Sequence, residues 1–316
     1  MEFTNSYSNL VQTILFSGYD YPDPNRTGIF RKEVFPAVIV HDMQGSFPLL
    51  ASKRMFTRGI FYELKWMLSG RTDLNYLRDN GIKNIWDKDA YNFALKNKFH
   101  GTMDEFLMDV DRGQLFSLGP IYGKQMRNWN GVDQLLNVIN KLLDPRQRYS
   151  SDLIISSWNV SDLHKMALPP CHHEIQFNCR PGQNEEHYLD LQFSMRSSDV
   201  ILGLPWNFAF YGMMLEIIAN ITNLTPGKLT YFGKKVHLYD NQFDAAKEII
   251  NRTSHHHNVM CEPQTEVYIN PELKCESYDS AQLTQLINSL NLDTIKFSNY
   301  KNLGDLKNQP PMLAYS

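Results

Sequence analysis

A chain of 316 residues that is 42% apolar and 12% aromatic can bury a large core, either as one domain with an insertion or as two small ones. Its formal charge of −3 gives no basis for general nucleic-acid binding, so an anionic ligand has to be met by local arginines. No run of about eighteen apolar residues occurs, and Met1 to Phe16 lacks a basic start ahead of an apolar block; this argues against a membrane span or secretory signal and for a cytoplasmic protein.

Leu10, Val11, Ile14 and Leu15 recur at helical spacing within Asn5 to Ser17, and Gly18 marks a stop. Pro22 to Gly28 is a turn-rich loop containing Arg26. Val34 to Val40 reads as a strand and Arg58 to Leu68 as a helix, in which Glu63 sits among Ile60, Phe61, Leu64, Trp66 and Met67. A carboxylate in that company is either snorkelling or buried for a purpose, and burial raises its pKa. Tyr91 to Phe116 carries mixed helical patterning and dense charge, the mark of a small inserted subdomain over 91–116 within one catalytic domain spanning 1–316. Val132 to Leu143 is an amphipathic helix ended by Asp144-Pro145, and Leu153 to Trp158 a buried strand.

Ile175 to Arg180 and Tyr188 to Arg196 read as strands joined by the turn Pro181 to Asn184. Pro205 and Asn207 lead into a helix, Phe210 to Ile221, apolar on most sides and therefore central; Leu224 to Gly227 closes it. A strand over Leu229 to Leu238, a helix over Asn241 to Asn251, and a strand, helix and strand between Pro263 and Tyr300 complete the chain. No repeat or flexible linker divides it, which favours an α/β architecture around one large mixed sheet covered by helices.

The four cysteines, Cys171, Cys179, Cys261 and Cys275, form no Cys-x-x-Cys pair, which suits a reducing compartment with one functional thiol. His255-His256-His257 is expected to be a polar loop, because adjacent histidines cannot share a helix face as ligands, and no metal is expected. Cys171 follows Pro169-Pro170, two residues that fix φ and withhold donors and so stiffen the approach to the thiol. The bland alternative is a small buried residue at a strand edge. Against it stands Asp190 to Asn207, which delivers Arg196, Ser197, Ser198, Asp199 and Asn207 beside an apolar strand.

Together with Phe232-Gly233-Lys234-Lys235-Val236-His237-Leu238-Tyr239, these segments resemble the catalytic core of the thymidylate synthases and their relatives, the pyrimidine nucleotide hydroxymethylases. The resemblance implies a homodimer with sheets packed back to back, methylenetetrahydrofolate as co-substrate and deoxyuridylate (dUMP) as substrate. It implies that Cys171 attacks C6 of the pyrimidine, with Arg196 lowering the thiol's pKa, and that Glu63 organises proton-transfer waters. Tyr122, in Leu118 to Gln125, then lies near Cys171 over the pyrimidine. Arg26, Arg196 and Ser197 hold the phosphate, and His237 and Tyr239 the deoxyribose hydroxyl. Asn207 reads uracil's N3–H and O4, where the cytosine-specific hydroxymethylases carry aspartate. Asp199 bonds the pterin, with Ile85, Trp86, Leu202, Gly203, Trp206 and Ala314 around the folate. Where the family has two adjacent arginines that reach the partner's phosphate, this chain has Arg146 to Asp152, in which Arg148 is the stand-in.

Several positions depart from the synthase pattern: Asp89, Met126, Met195, Trp206 and Ser316. Met195-Arg196-Ser197-x-Asp199-Val200 reads like the hydroxymethylase version, and Asp89 with a polar tail end would admit water to the transferred carbon. The expected product is therefore 5-hydroxymethyl-dUMP, with thymidylate as the alternative. A non-catalytic homologue is the competing class, opposed by the joint presence of Cys171, Glu63, Asn207, Asp199 and His237.

Overall fold

The structure, a computed structural model, describes residues 1–21 and 30–307. Its first half runs α1 (Glu2–Ser17), β1 (Tyr19–Tyr21), β2 (Arg31–Val34), β3 (Ala37–Asp42), α2 (Thr57–Leu68), α3 (Leu74–Asp79), α4 (Asp87–Lys96), α5 (Met103–Asp111), α6 (Tyr122–Arg127) and α7 (Gln134–Leu143). The second half runs β4 (Ile154–Ser156), β5 (His172–Pro181), β6 (His187–Asp199), α8 (Gly203–Thr222), β7 (Thr225–Tyr239), α9 (Phe243–His255), β8 (Gln264–Val267), α10 (Ser280–Ser289) and β9 (Ile295–Ser298).

Among the described residues seven strands make one sheet in the order β1-β2-β7-β6-β5-β4, with β3 also paired to β7. β6 and β7 run parallel and the other pairs antiparallel, so the sheet is mixed. Period-2 alternation sorts its faces. Ile39, Tyr231, Phe193, Ile175 and Ile155 lie side by side across five strands and are all buried. Each such side chain contributes about 1.5–3 kcal/mol on burial. One residue along, the row Val40, Thr230, Gln192, Gln176 and Ile154 faces outward, half-buried or exposed. Helix α8 packs on the inner face against β6 and β7, buried almost all round as its composition predicts.

Of the boundaries that differ from the sequence reading, three turn on prolines. The expected strand over Val34 to Val40 is two strands, because Pro36 has no N–H for the ladder and separates β2 from β3. The central helix begins at Gly203 rather than Phe210; Pro205 sits in its first turn, where backbone donors have no intrahelical acceptor in any case. Pro226 and Gly227 open β7 instead of standing in a turn. A Cβ at Gly227 would lie 2.2 Å from Asp190 Oδ1, the oxygen that accepts from the Lys228 N–H, so a side chain here would displace that carboxylate.

The 91–116 stretch folds as the end of α4 and all of α5, around Tyr91, Phe99, Phe106 and Phe116. Buried Arg78 on α3 ties it down through Asp87 and a two-pronged contact to Asp111 at 2.8 Å. Among the described residues no helix is long and apolar enough to cross a membrane. His255 closes α9, and His256 and His257 follow it, exposed.

Candidate active site

Because β5 is antiparallel to β6 and β6 parallel to β7, the start of β5 and the ends of β6 and β7 meet at one edge of the sheet. Cys171 precedes β5, Asp199 ends β6 opposite His237, and α8 starts just beyond. A cleft opens there, lined by Cys171, Glu63, Trp86, Asp199, Trp206 and Asn207, with Ile85, Tyr122, Ser197, Leu202 and Gly203 from the expected set; Arg196, His237 and Tyr239 lie near it but do not line it. Leu168, Asp89, His172, Met195 and Ser198 line it too.

Cys171 is half-buried and fixed through its backbone: its N–H donates to Tyr122 Oη at 2.8 Å and its carbonyl accepts from Arg196 N–H at 2.8 Å. The Arg196 guanidinium donates to the Pro170 and Pro169 carbonyls at 2.8 and 2.7 Å, which leaves Nη2 3.9 Å from Cys171 Sγ. The stiff proline approach thus also serves to hold a cation against the thiol. A fixed cation at that place is the setting in which a thiol becomes a nucleophile.

A β-bulge between His172 and Glu174 places His172 inward, where its ring stacks on Tyr122 with centroids 4.3 Å apart. His172 Nδ1 pairs with Tyr211 Oη at 2.5 Å. Burial lowers the His172 pKa from 6.5 to about 3, so the ring is neutral. Burial, and then the Cys171 charge, push the Tyr122 phenol well above its usual range, so it stays protonated. Sequence reasoning gave His172 no role, although it adjoins the nucleophile.

Glu63 is buried on α2, and both its carboxylate oxygens are taken: Trp86 Nε1 donates to Oε1 at 2.7 Å and Trp206 Nε1 to Oε2 at 2.5 Å. Burial raises its pKa and the two indole donors oppose that rise, so the direction agrees with the expected one.

Asp199 turns the chain just ahead of α8, one oxygen accepting from the Ile201 and Leu202 N–H groups at 2.8 and 2.9 Å, and its other oxygen accepts from Gln242 at 2.7 Å. Lys53, which the sequence reading assigned no part, is buried nearby and donates to the Ile201 carbonyl at 2.7 Å. Burial lowers its pKa to about 8 while Asp199 pulls it up. His237 is buried, with Nδ1 3.4 Å from the Lys235 carbonyl and Nε2 without a hydrogen-bond partner among the described residues. Its pKa is lowered by burial, against the pull of Asp199. Tyr239, two residues on, is buried edge-on to it. No group among the described residues holds the Asn207 amide.

One expected ligand, Arg148, is not brought to this cleft within one chain. Arg148 donates to the Leu143 carbonyl at 3.5 Å and lines a separate depression with Glu185, His187 and Lys274. Within one chain it does not meet Cys171. Arg26 and Ala314, with Ser316, lie outside the described residues. No group of three or more His, Cys, Asp or Glu among the described residues is placed to hold a metal ion.

A sequence model of the family described as thymidylate synthase matches residues 5–311. Among similar proteins, the thymidylate synthase of Mycoplasma genitalium is 37% identical over 285 residues, covering 88% of this chain and 94% of that protein. The thymidylate synthase of Enterobacteria phage T4 is 38% identical over 253 residues, 78% of this chain and 80% of that protein. That of Symbiobacterium thermophilum is 36% identical over 262 residues, 79% of this chain and 81% of that protein. With a mixed sheet that gathers Cys171, Arg196, Glu63, Asp199 and Asn207 at one edge, this chain belongs to the thymidylate synthase family.

Proposed function

We propose that the protein transfers a one-carbon unit to C5 of deoxyuridylate and that the product is thymidylate. The observation that carries the reading is the Arg196 guanidinium 3.9 Å from Cys171 Sγ, beside a cleft that Cys171 and the Glu63 carboxylate both line. Cys171 Sγ adds to C6 of the ring, and the electron pair of the C5–C6 double bond moves to C5, which becomes the nucleophile. The Glu63 carboxylate receives the C5 proton through ordered water, and the C–S bond breaks as the ring double bond re-forms. His237 Nε2, buried and unmatched, suits a sugar hydroxyl. Asn207 presents an acceptor and a donor to N3–H and O4. Ser197 and Arg196 serve the phosphate.

Methylenetetrahydrofolate, when bound, supplies the carbon and the hydride. The residues fit such a flat, partly polar ring: Ile85, Trp86, Leu202 and Trp206 give apolar walls and Asp199 a carboxylate at the same cleft. Hydroxymethylation, the product expected from the sequence, rested on the Met195 to Val200 motif and on water admitted by Asp89 and a polar tail end. Asp89 is only 5% exposed and Met195 2%, which supports a dry cleft and methylation, as do the names of the relatives. The competing reading keeps one observation in its favour, a carboxyl group lining the cleft. We also read the outward sheet face, where Val38 and Val40 are exposed, as the surface for a second copy, across which Arg148 meets the phosphate.

The deciding measurement is mass spectrometry of the nucleotide after incubation with deoxyuridylate and methylenetetrahydrofolate. Thymidylate should appear together with the absorbance rise of dihydrofolate. A product one oxygen heavier, with no absorbance rise, overturns the methylation reading.

A further inference from the structure

Glu63 is held by two donors from different parts of the chain, Trp86 at the start of α4 and Trp206 in the first turn of α8. The space for the second is made on α2 itself. A Cβ at Gly59, one helical turn before Glu63, would lie 2.6 Å from Trp206 Cη2 and 2.6 Å from Phe56 Cδ1. Gly59 is buried in the first turn of α2, where any side chain would have to share the space with Phe56 and Trp206, so its presence calls for a packing reason. The indole of Trp206 supplies one.

We propose that Trp206, seated against Gly59, is a positioning residue that with Trp86 fixes both oxygens of the Glu63 carboxylate as acceptors and presents it in one orientation as an ionised base. The argument turns on what an indole can do. Its N–H donates and cannot accept. A protonated Glu63 would have to keep its own O–H clear of both indole hydrogens, whereas a water or hydroxyl in either place could turn round and accept. Two donor-only partners therefore favour the anion, against the cost of burying it. The other titratable groups around Glu63 are Asp89 on α4, Tyr122 on α6, Cys171 and His172 beside β5, Asp199 on β6 and Tyr211 on α8. None of them is restricted to donating.

The clamp stands independently of the reaction; only what Glu63 does with the proton rests on the proposed function. The test follows the indole N–H resonances of the ligand-free protein against pH, with the Trp86 and Trp206 signals assigned from their phenylalanine variants. Both signals should titrate with one midpoint, and Glu63→Gln should abolish that titration. Trp206→Phe should move the midpoint read at Trp86 upward by about one pH unit, a tenfold change in the acid constant, because a donor to the anion is lost. Gly59→Ala should move it the same way while leaving the indole in the chain. An unmoved midpoint in either folded variant overturns the proposal, and Gly59→Ala carries the test by itself should Trp206→Phe not fold. The acid limb of turnover should shift with the midpoint in Trp206→Phe. A midpoint that moves while that limb stays put upholds the clamp and removes Glu63 from the proposed chemistry.

Discussion

His172 offers a measurement in which the magnitude follows chiefly from burial. In the folded chain its pKa is lowered from 6.5 to about 3, chiefly by burial and then by the neighbouring His173. Unfolded, it titrates as an ordinary histidine. Because the folded value is the lower one, the folded state binds fewer protons through that window; stability is fully present above about pH 6.5 and is lost as the pH falls toward 3. One proton gives a slope of at most about 1.4 kcal/mol per pH unit, so acidification from pH 6 to pH 4 removes about 2–3 kcal/mol. Glu63 acts oppositely, since its carboxyl is raised: its contribution is present at low pH and lost as pH rises. The difference between wild type and His172→Asn cancels that opposing slope. Urea unfolding at steps from pH 7 to pH 4 should show the variant less stable at neutrality, for want of the Tyr122 stack and the fit to Tyr211, with the gap closing by about 2–3 kcal/mol on acidification. Two parallel curves would refute the claim that His172 is held neutral.

Cys171→Ser should abolish turnover while leaving deoxyuridylate affinity within about tenfold, since the thiolate attacks but phosphate and base contacts supply most of the binding; calorimetry and steady-state rates check both halves. Asn207→Asp should shift preference from deoxyuridylate toward deoxycytidylate, because a carboxyl reverses one side of the hydrogen-bond pattern, and the ratio of kcat/KM values measures it. Unchanged selectivity would mean that Asn207 does not read the base. Sedimentation at micromolar concentration should give a dimer, and Arg148→Ala should raise KM for the nucleotide without dissociating it. A fully active monomer would refute the contribution of Arg148 across an interface.

What the sequence disclosed, and what it hid, divides by distance along the chain. Alternation in Leu189 to Phe193 and Leu229 to Tyr231 marks the buried rows of the sheet because a strand's faces depend only on neighbours two residues apart. Glu63 stood out by its apolar helix neighbours, and Cys171 by the two prolines beside it. Pro226 misled, since a proline reads as a break until the partner strand that tolerates it is known.

The clamp on Glu63 was hidden for a stronger reason. Trp206 lies 143 residues from Glu63 in sequence, and its departure from the synthase pattern read as a change in a folate wall. Only the crossing of α2 and α8 turns that wall toward the carboxylate. The local clue was Gly59, a residue that weakens a helix and brings no side chain to its core. A glycine in that position says that something bulky arrives from elsewhere, and in a chain with five tryptophans the candidates are few. The same logic reaches the product: whether water or hydride meets the transferred carbon depends on how closely Asp89, Met195 and Trp206 are packed, a property of contacts between separate elements rather than of any one motif.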